Sequence, residues 1–263
     1  MLGACSSLSA LCLDGLLLLR QIFIQQPNRH FTRTLILTQS SVILYHFDRS
    51  GVTHTTSFNF HNHPIRFVQL IIGLSSKSER ALGLDDSVQW VIADGRKVSG
   101  TIRAPDEDGK MIDYDLVMDE KPFIRHAIRG RGTTCFPATH PKDKTKKVLV
   151  KSYWMADGRT PETEIYKQIK GVEGVCEMIA VETDRKQTKD FRPPAVSEDL
   201  AQPTPSLSST PPSQGLFLNR KQQRLVLKAY GSTIDHFTSA KQLLCALRDV
   251  ISGENHPTMI GIY

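Results

Sequence analysis

The sequence predicts an α+β protein in which antiparallel strands outnumber helices. Short runs rich in β-branched and aromatic residues alternate with turn sequences along most of the chain. Only four segments have the length and apolar spacing of helices. They begin near residues 8, 64, 160 and 238. With 263 residues, of which 40% are hydrophobic, the chain is long enough and apolar enough to bury a core.

The first predicted helix covers residues 8–26 and ends at Pro27. No basic residue precedes its apolar run, and Asp14 and Arg20 interrupt it, which excludes a secretory signal peptide and a membrane span. The five cysteines include no C-x-x-C pair, so we expect reduced thiols. The chain is therefore predicted to be an intracellular protein, cytoplasmic or nuclear, with no membrane partner.

Strands and one short helix are predicted between this helix and residue 120. The runs RTLILTQ, SVILYHFD and GVTHTTSFNF read as strands, with a turn at residues 48–51. A helix from Pro64 to Gly73 is expected to turn Phe67, Leu70 and Ile71 inward. The runs KVSGTIRAP and MIDYDLVM then flank the polar turn 106–110 and predict a hairpin.

From Phe123 the pattern is strand, glycine turn, strand, then the strand KKVLVKSYW, a helix near residue 160 and the strand CEMIAVE. Residues 193–215 are rich in Pro, Ser and Thr, which predicts a disordered insertion. A strand, RLVLKAY, and a helix over residues 238–253 follow. One apolar stripe marks that helix: Leu243, Leu244, Leu247, Val250 and Ile251.

Three features between residues 128 and 164 suggest phosphate chemistry. Gly130 and Gly132 lie between two strands, where backbone N–H groups can approach phosphate oxygens, although a tight hairpin has the same pattern. Lys151 ends an apolar strand, as in the V-A-I-K pattern. Glu162 and the reserve candidate Glu164 could pair with that lysine, or could only be helix N-terminal carboxylates that the macrodipole favours.

Several stretches read together resemble the fungal-type protein kinase family. They are QPNRHF, HFDRSG, LIIGLSS, IADGRKVSGTI, IRGRGTTCF, VLVKSYWMADGRTPETEIY and LKAYGSTIDHFTSAKQLLCALRDVISG. The resemblance implies a kinase-like N-lobe, an antiparallel sheet plus one helix. Residues 1–120 would form a family-specific segment of helices and hairpins, and residues 121–263 the N-lobe, its insertion and the first helix of the C-lobe.

The resemblance also implies a binding site for ATP and Mg²⁺ and a protein Ser/Thr substrate. Lys151 would bind phosphate and Glu162 would hold it, as the catalytic pair. The residues implied in nucleotide binding are Gly130, Gly132, Thr133, Lys151, Leu227, Lys228 and Ala229, the last three at the hinge beside adenine.

The family's H-R-D-type catalytic loop and metal-binding aspartate have no match in residues 254–263. We therefore expect no metal ligand in this chain and negligible phosphoryl transfer by it alone. The alternative is a non-catalytic nucleotide-binding or interaction module, in which a partner covers the final apolar helix. A third alternative, nucleic-acid binding through the basic stretch 121–151, is the least favoured. Only two aromatic residues, Phe123 and Phe136, lie among its basic residues.

Overall fold

The computed structural model describes residues 19–171, 176–192, 217–228, 238–241 and 243–245. These residues form a mixed α+β structure with antiparallel sheets and few helices. Four parts of the sequence named above lie outside the described residues. They are the predicted insertion 193–215, Ala229, most of the predicted helix 238–253 and the first part of the helix predicted over residues 8–26.

Twelve strands and three α-helices are named here for the described residues. The helices are α1 (residues 19–25), α2 (Pro64–Leu74) and α3 (Glu162–Gln168), and a 3₁₀ helix covers Thr188–Phe191. The strands are β1 (Phe31–Leu37), β2 (Ser41–Asp48), β3 (Gly51–His54), β4 (Phe58–Asn59), β5 (Val88–Ala93), β6 (Arg96–Pro105), β7 (Met111–Leu116), β8 (Phe123–Ile124), β9 (Thr134–His140), β10 (Asp143–Ala156), β11 (Met178–Glu182) and β12 (Arg220–Leu227).

The first sheet contains β1 to β4. β1, β2 and β3 pair in sequence order, and β4 also pairs with β2. Helix α1 packs Leu19 and Phe23 against Phe47 of β2. The turn between β2 and β3, at residues 48–51, adjoins this small core, because the Arg49 guanidinium lies 4.5 Å from the centroid of the Phe23 ring.

The second sheet has the strand order β11-β12-β10-β9-β7-β6-β5, with β8 paired to β9. Strands β5 to β7 come from the predicted N-terminal segment and β8 to β12 from the part after residue 120. The two parts meet where β7 pairs with β9, through Asp115 opposite Thr139 and Leu116 opposite Ala138. The sheet is therefore continuous across residue 120.

Strand β10 presents alternate residues to two different cores, as the period of two in a strand requires. Val148 and Val150 belong to a core shared with β5, β6, β7, β9 and β12. Tyr153 belongs to a second core, with Tyr166 and Ile169 from α3 and the residue that follows it. Lys151 has the same parity as Tyr153 and so lies on the α3 side.

Helix α2 forms over the predicted residues, but the prediction that Phe67, Leu70 and Ile71 face inward is wrong. None of the residues of α2 is buried, and Ile71 is exposed. Phe67 stacks on Phe60, with ring centroids 5.0 Å apart. Arg66 of α2 lies over the ring of Phe58 in β4, 4.9 Å from the centroid, so the spacing produces an amphipathic helix that contacts the sheet edge without a buried residue.

Candidate functional site

Lys151 and Glu162 meet because a side chain of β10 holds the start of α3. The hydroxyl of Tyr153, two residues after Lys151, accepts a hydrogen bond from the backbone N–H of Glu162 at 3.2 Å. Tyr166 and Ile169 pack against Tyr153, which fixes the helix on this face of the sheet. The carboxylate of Glu162 therefore projects toward β10 at the level of Lys151.

The Lys151 Nζ atom lies 2.7 Å from Oε2 of Glu162, and the two side chains are only 15% and 16% exposed. The contact is an ion pair without the alignment of a good hydrogen bond, since Oε2 is buried and accepts none. Glu164, the reserve candidate, instead pairs with Lys167 at 2.9 Å on the exposed side of α3. The structure thus brings Lys151 together with Glu162 and not with Glu164.

Arg131 is a second cation on the same carboxylate. Its guanidinium contacts Oε1 of Glu162, and the Arg131 side chain is 42% exposed. Burial lowers the pKa of Lys151, and the positive charges of Arg131 and Arg125 lower it further, against the opposite influence of Cys135. Burial raises the pKa of the Cys135 thiol to about 11, so that thiol is neutral near pH 7. One carboxylate therefore faces a surplus of positive charge.

The glycines of the predicted phosphate loop are held by Arg49. The N–H of Gly130 donates to the backbone oxygen of Arg49 at 2.9 Å. Gly132 lies against the Arg49 guanidinium, and a Cβ at that position would overlap it. Thr133 is buried, and its carbonyl accepts a hydrogen bond from the Arg125 N–H at 2.8 Å. The N–H of Gly130 is thus occupied by the protein itself.

The predicted hinge residues begin at Leu227, the last residue of β12. Leu227 is buried in the α3-side core, opposite Leu149 in the strand register. The N–H of Lys228 donates to the carbonyl of Glu177 at 2.8 Å, and its Nζ lies 3.0 Å from the Glu177 carboxylate. Ala229 lies outside the described residues.

Sequence reasoning missed Arg49 and Arg131 as parts of this site. Arg131 lies between the two predicted glycines, so the spacing G-R-G was a usable signal. Arg49 belongs to a turn about 80 residues earlier, and its distance in sequence gave no local signal. The basic stretch 121–151 also has fewer unpaired positive charges than its composition suggests. Lys144 contacts Asp115, and Lys147 Nζ lies 3.3 Å from the Glu120 carboxylate.

The opposite face of the same strands carries a different cluster, centred on Asp85. Arg224 and Arg185 approach Oδ2 of Asp85 at 2.9 and 3.0 Å, and His30 approaches it at 3.4 Å. Burial alone would raise the pKa of Asp85, but the contact with His30 and the charge of Arg224, together with that of Arg185, hold its pKa well below the usual value. Arg224 also donates to Ser152 Oγ of β10 at 3.0 Å.

The described residues contain no group of three or more His, Cys, Asp or Glu side chains that could hold a metal ion. Among the helices that the structure describes, none combines the length and the hydropathy needed to cross a bilayer.

Comparison with known proteins identifies a family. The family model described as fungal protein kinase matches residues 10–257 of the 263-residue chain. No curated protein and no solved structure matches the chain. The family match spans both sheets, the lysine on β10 and the glutamate at the start of α3, and we conclude that the chain belongs to the fungal protein kinase family.

Proposed function

We propose that the chain binds the phosphates of ATP on the α3 side of β10, with Lys151 as the phosphate-binding cation and Glu162 as the residue that holds it. The observation that carries the proposal is the 2.7 Å ion pair between these two side chains in a partly buried position. Kinases of known mechanism use a strand lysine paired to a helix glutamate for this purpose.

The charge balance of the cluster fits an anionic ligand. The single carboxylate of Glu162 contacts two cations, Lys151 and Arg131, and Arg125 adds a third positive charge nearby. Burial lowers the pKa of Lys151, and repulsion from the like charges of Arg131 and Arg125 lowers it further. A triphosphate would supply the missing negative charge, and the partial exposure of Arg131 leaves an approach to the cluster.

The glycine loop contributes less to phosphate binding in this proposal than its sequence predicts. The Gly130 N–H already donates to Arg49, so the amides of Gly132 and Thr133 remain the backbone candidates. Adenine would lie beside Leu227 and Ala229, where β12 leads toward the second lobe implied by family membership. Mg²⁺ would arrive bound to the nucleotide, and we assign no protein ligand to it.

Phosphoryl transfer to Ser or Thr of a protein substrate is the family's activity. Transfer needs an aspartate that accepts the substrate hydroxyl proton and carboxylates that bind the metal. No H-R-D motif is found among the 263 residues, so we propose nucleotide binding without measurable transfer by this polypeptide. That behaviour is also what a non-catalytic nucleotide-binding module would show, and radiolabelled phosphate incorporation into protein is the assay that distinguishes it from an active kinase.

Equilibrium binding of ATP with Mg²⁺, measured by titration calorimetry, tests the proposal. We expect saturable binding by the unmodified chain and at least about tenfold weaker binding by Lys151→Ala, the factor that one lost charge-assisted contact produces. Lys146→Ala is the matched control, since Lys146 lies on the same strand but is exposed. Equal affinities for the unmodified chain and Lys151→Ala, or no binding by either, would contradict the proposal.

A further inference from the structure

The turn between β2 and β3 reaches across the molecule to the glycine loop through Arg49. Nη1 of Arg49 donates to the carbonyl of Ala127 at 2.9 Å and to that of Ile128 at 3.3 Å. The Arg49 carbonyl accepts the N–H of Gly130 at 2.9 Å. We call these contacts, together with the packing of Gly132 on the guanidinium, the Arg49 clamp.

Arg49 is buried in an unusual way for a cation. It is 1% exposed and makes no ion pair with a carboxylate in the described structure, and its Nε has no hydrogen-bond partner there. The guanidinium instead lies over the ring of Phe23, 4.5 Å from the centroid. Burial lowers the pKa of Arg49 to about 10. A buried unpaired cation is costly, so its hydrogen bonds to the loop carbonyls are needed to offset the lost hydration.

Gly132 shows that the loop is fitted to Arg49 and not merely near it. Its φ of +47° places it in the left-handed region, and any side chain there would meet the guanidinium. Gly130 has a φ of +129°, yet the space where its Cβ would stand is open. Glycine is therefore favoured at these two positions for different physical reasons. At Gly132 the reason is the close approach of Arg49, and at Gly130 it is the positive φ alone.

The turn that carries Arg49 is itself anchored on both sides. Asp48 pairs with Arg192 through two contacts of 2.7 Å, and the Ser50 hydroxyl donates to the carbonyl of Leu218 at 2.6 Å. Ile128 of the loop packs against the core of Leu19, Phe23 and Phe47. The loop is thus held by a fixed part of the first sheet.

The clamp has a direct connection to the cation that contacts Glu162. Arg131 lies between the two clamped glycines, and its carbonyl accepts the N–H of Trp154 from β10 at 2.7 Å. Arg49 holds Gly130 and Gly132 on either side of Arg131, and the Trp154 N–H holds the Arg131 carbonyl. The Arg131 side chain is thereby directed toward Glu162.

We propose that Arg49 is a positioning residue for the nucleotide site: it fixes residues 127–132 so that Arg131 faces the Lys151–Glu162 pair. The N-terminal segment would then be a working part of the site and not an independent unit. This inference rests on the proposed function for its effect on ATP, but the clamp itself can be measured without nucleotide.

Hydrogen exchange and ATP affinity of Arg49→Met and Arg49→Lys test the inference. Met keeps most of the side-chain volume and removes the donors, whereas Lys keeps the charge and one donor group. For Arg49→Met we expect amide exchange over residues 127–132 to rise about tenfold or more while β10 and β12 stay protected, and ATP affinity to fall by no more than about threefold, the effect expected from losing Arg131 itself. Arg49→Lys should give an intermediate value for both quantities. Unchanged loop exchange in Arg49→Met, within about twofold, would overturn the inference.

Substitution of a loop glycine tests the inference even if Arg49→Met fails to fold. Gly132→Ala should displace the guanidinium and raise exchange over residues 127–132 about tenfold or more, because its Cβ would overlap Arg49. Gly95→Ala is the control for backbone strain, since Gly95 also has a left-handed φ, +72°, but its Cβ would meet open space, and it should leave exchange over residues 127–132 unchanged. Unchanged exchange over residues 127–132 in Gly132→Ala, within about twofold, would contradict the clamp. If the unmodified chain binds no ATP, the proposed function fails, and loop exchange still decides the clamp.

Discussion

The two faces of strands β10 and β12 hold charged clusters of opposite design. On one face Asp85 is enclosed by Arg224 and Arg185, with Arg224 only 1% exposed, and Ser87 Oγ accepts a hydrogen bond from Arg224 at 2.7 Å. On the other face Glu162 is shared by Lys151 and Arg131, and Arg131 reaches solvent. Glu182 also pairs with Arg185 at 2.6 Å, so the enclosed cluster has two carboxylates for its two arginines, whereas the open cluster has one carboxylate for two cations.

The difference separates a structural role from a binding role. A buried carboxylate surrounded by cations and hydroxyls ties together distant parts of the chain, here residues near 30, 85, 185 and 224. Its removal leaves buried charges without partners, which is strongly destabilising. A partly exposed cluster with surplus cations contributes little to stability but can bind an anion. The following predictions test this assignment of roles, from the largest expected effect to the smallest.

Asp85→Asn should cause the largest loss of stability. It leaves the buried guanidinium of Arg224 without a carboxylate contact and Arg185 with Glu182 alone, and we expect the free energy of unfolding to fall by about 3–5 kcal/mol. Urea denaturation measures this quantity. Asp86→Asn is the matched control, because the exposed ion pair of Asp86 with Arg80 should contribute less than about 1 kcal/mol. Equal effects of the two substitutions would show that the Asp85 cluster does not stabilise the fold.

Acid should weaken the fold through the same carboxylate. The pKa of Asp85 is lowered well below 3.8 by folding, so its contribution to stability is fully present above the unfolded pKa and is lost as pH falls toward the folded one. Urea midpoints measured from pH 6 down to about pH 3 should fall for the unmodified chain. The decline should be shallower for Asp85→Asn, and parallel declines would contradict the role given to Asp85.

Lys151→Met should separate binding from stability. Removing Lys151 leaves Glu162 in contact with Arg131, so we expect the free energy of unfolding to change by less than about 1 kcal/mol while ATP affinity falls at least about tenfold. Burial lowers the pKa of Lys151, so this lysine loses its charge at a lower pH than an ordinary lysine does. ATP affinity of the unmodified chain should therefore fall as pH rises, and the fall should begin below the ordinary lysine value of 10.5. Large destabilisation by Lys151→Met would mean that this face too serves the fold.

Arg131→Ala should have the smallest effect. The side chain is partly exposed and screened by salt, so we expect about threefold weaker ATP binding and a weaker dependence of affinity on salt concentration. Calorimetry at two salt concentrations measures both. Tighter binding by Arg131→Ala would reverse the interpretation, because it would show that Arg131 competes with Lys151 for Glu162 and blocks the site.

Local sequence patterns predicted much of the second sheet and the central pair of the site. The turn 106–110, the apolar strand before Lys151 and the helix start at Glu162 depend on neighbouring residues, and the structure has strands and a helix there. Strand β5 was missed, although Asp94 and Gly95 with φ of 50° and 72° form the kind of turn that marks a hairpin. A search for Asp-Gly between apolar runs would have found it.

The remaining features depend on contacts between residues far apart in sequence. Arg49 meets Ala127 across 78 positions, and Arg224 meets Asp85 across 139, so no local period or spacing marks either pair. The amphipathic spacing of α2 predicted its helix but not its exposure, because burial of a helix depends on which element covers it. The glycine spacing likewise indicated a loop but not that its N–H group would be taken by Arg49.

Hydrogen exchange of the unmodified chain with and without ATP and Mg²⁺ tests most directly the claim that one face of the sheet binds nucleotide and the other supports the fold. We predict that nucleotide slows exchange in residues 125–133, around Lys151 and at the start of α3, and leaves the segments near Asp85 and Arg185 unchanged. Protection confined to the Asp85 side, or no protection at Lys151 and Glu162 at a saturating nucleotide concentration, would contradict the account.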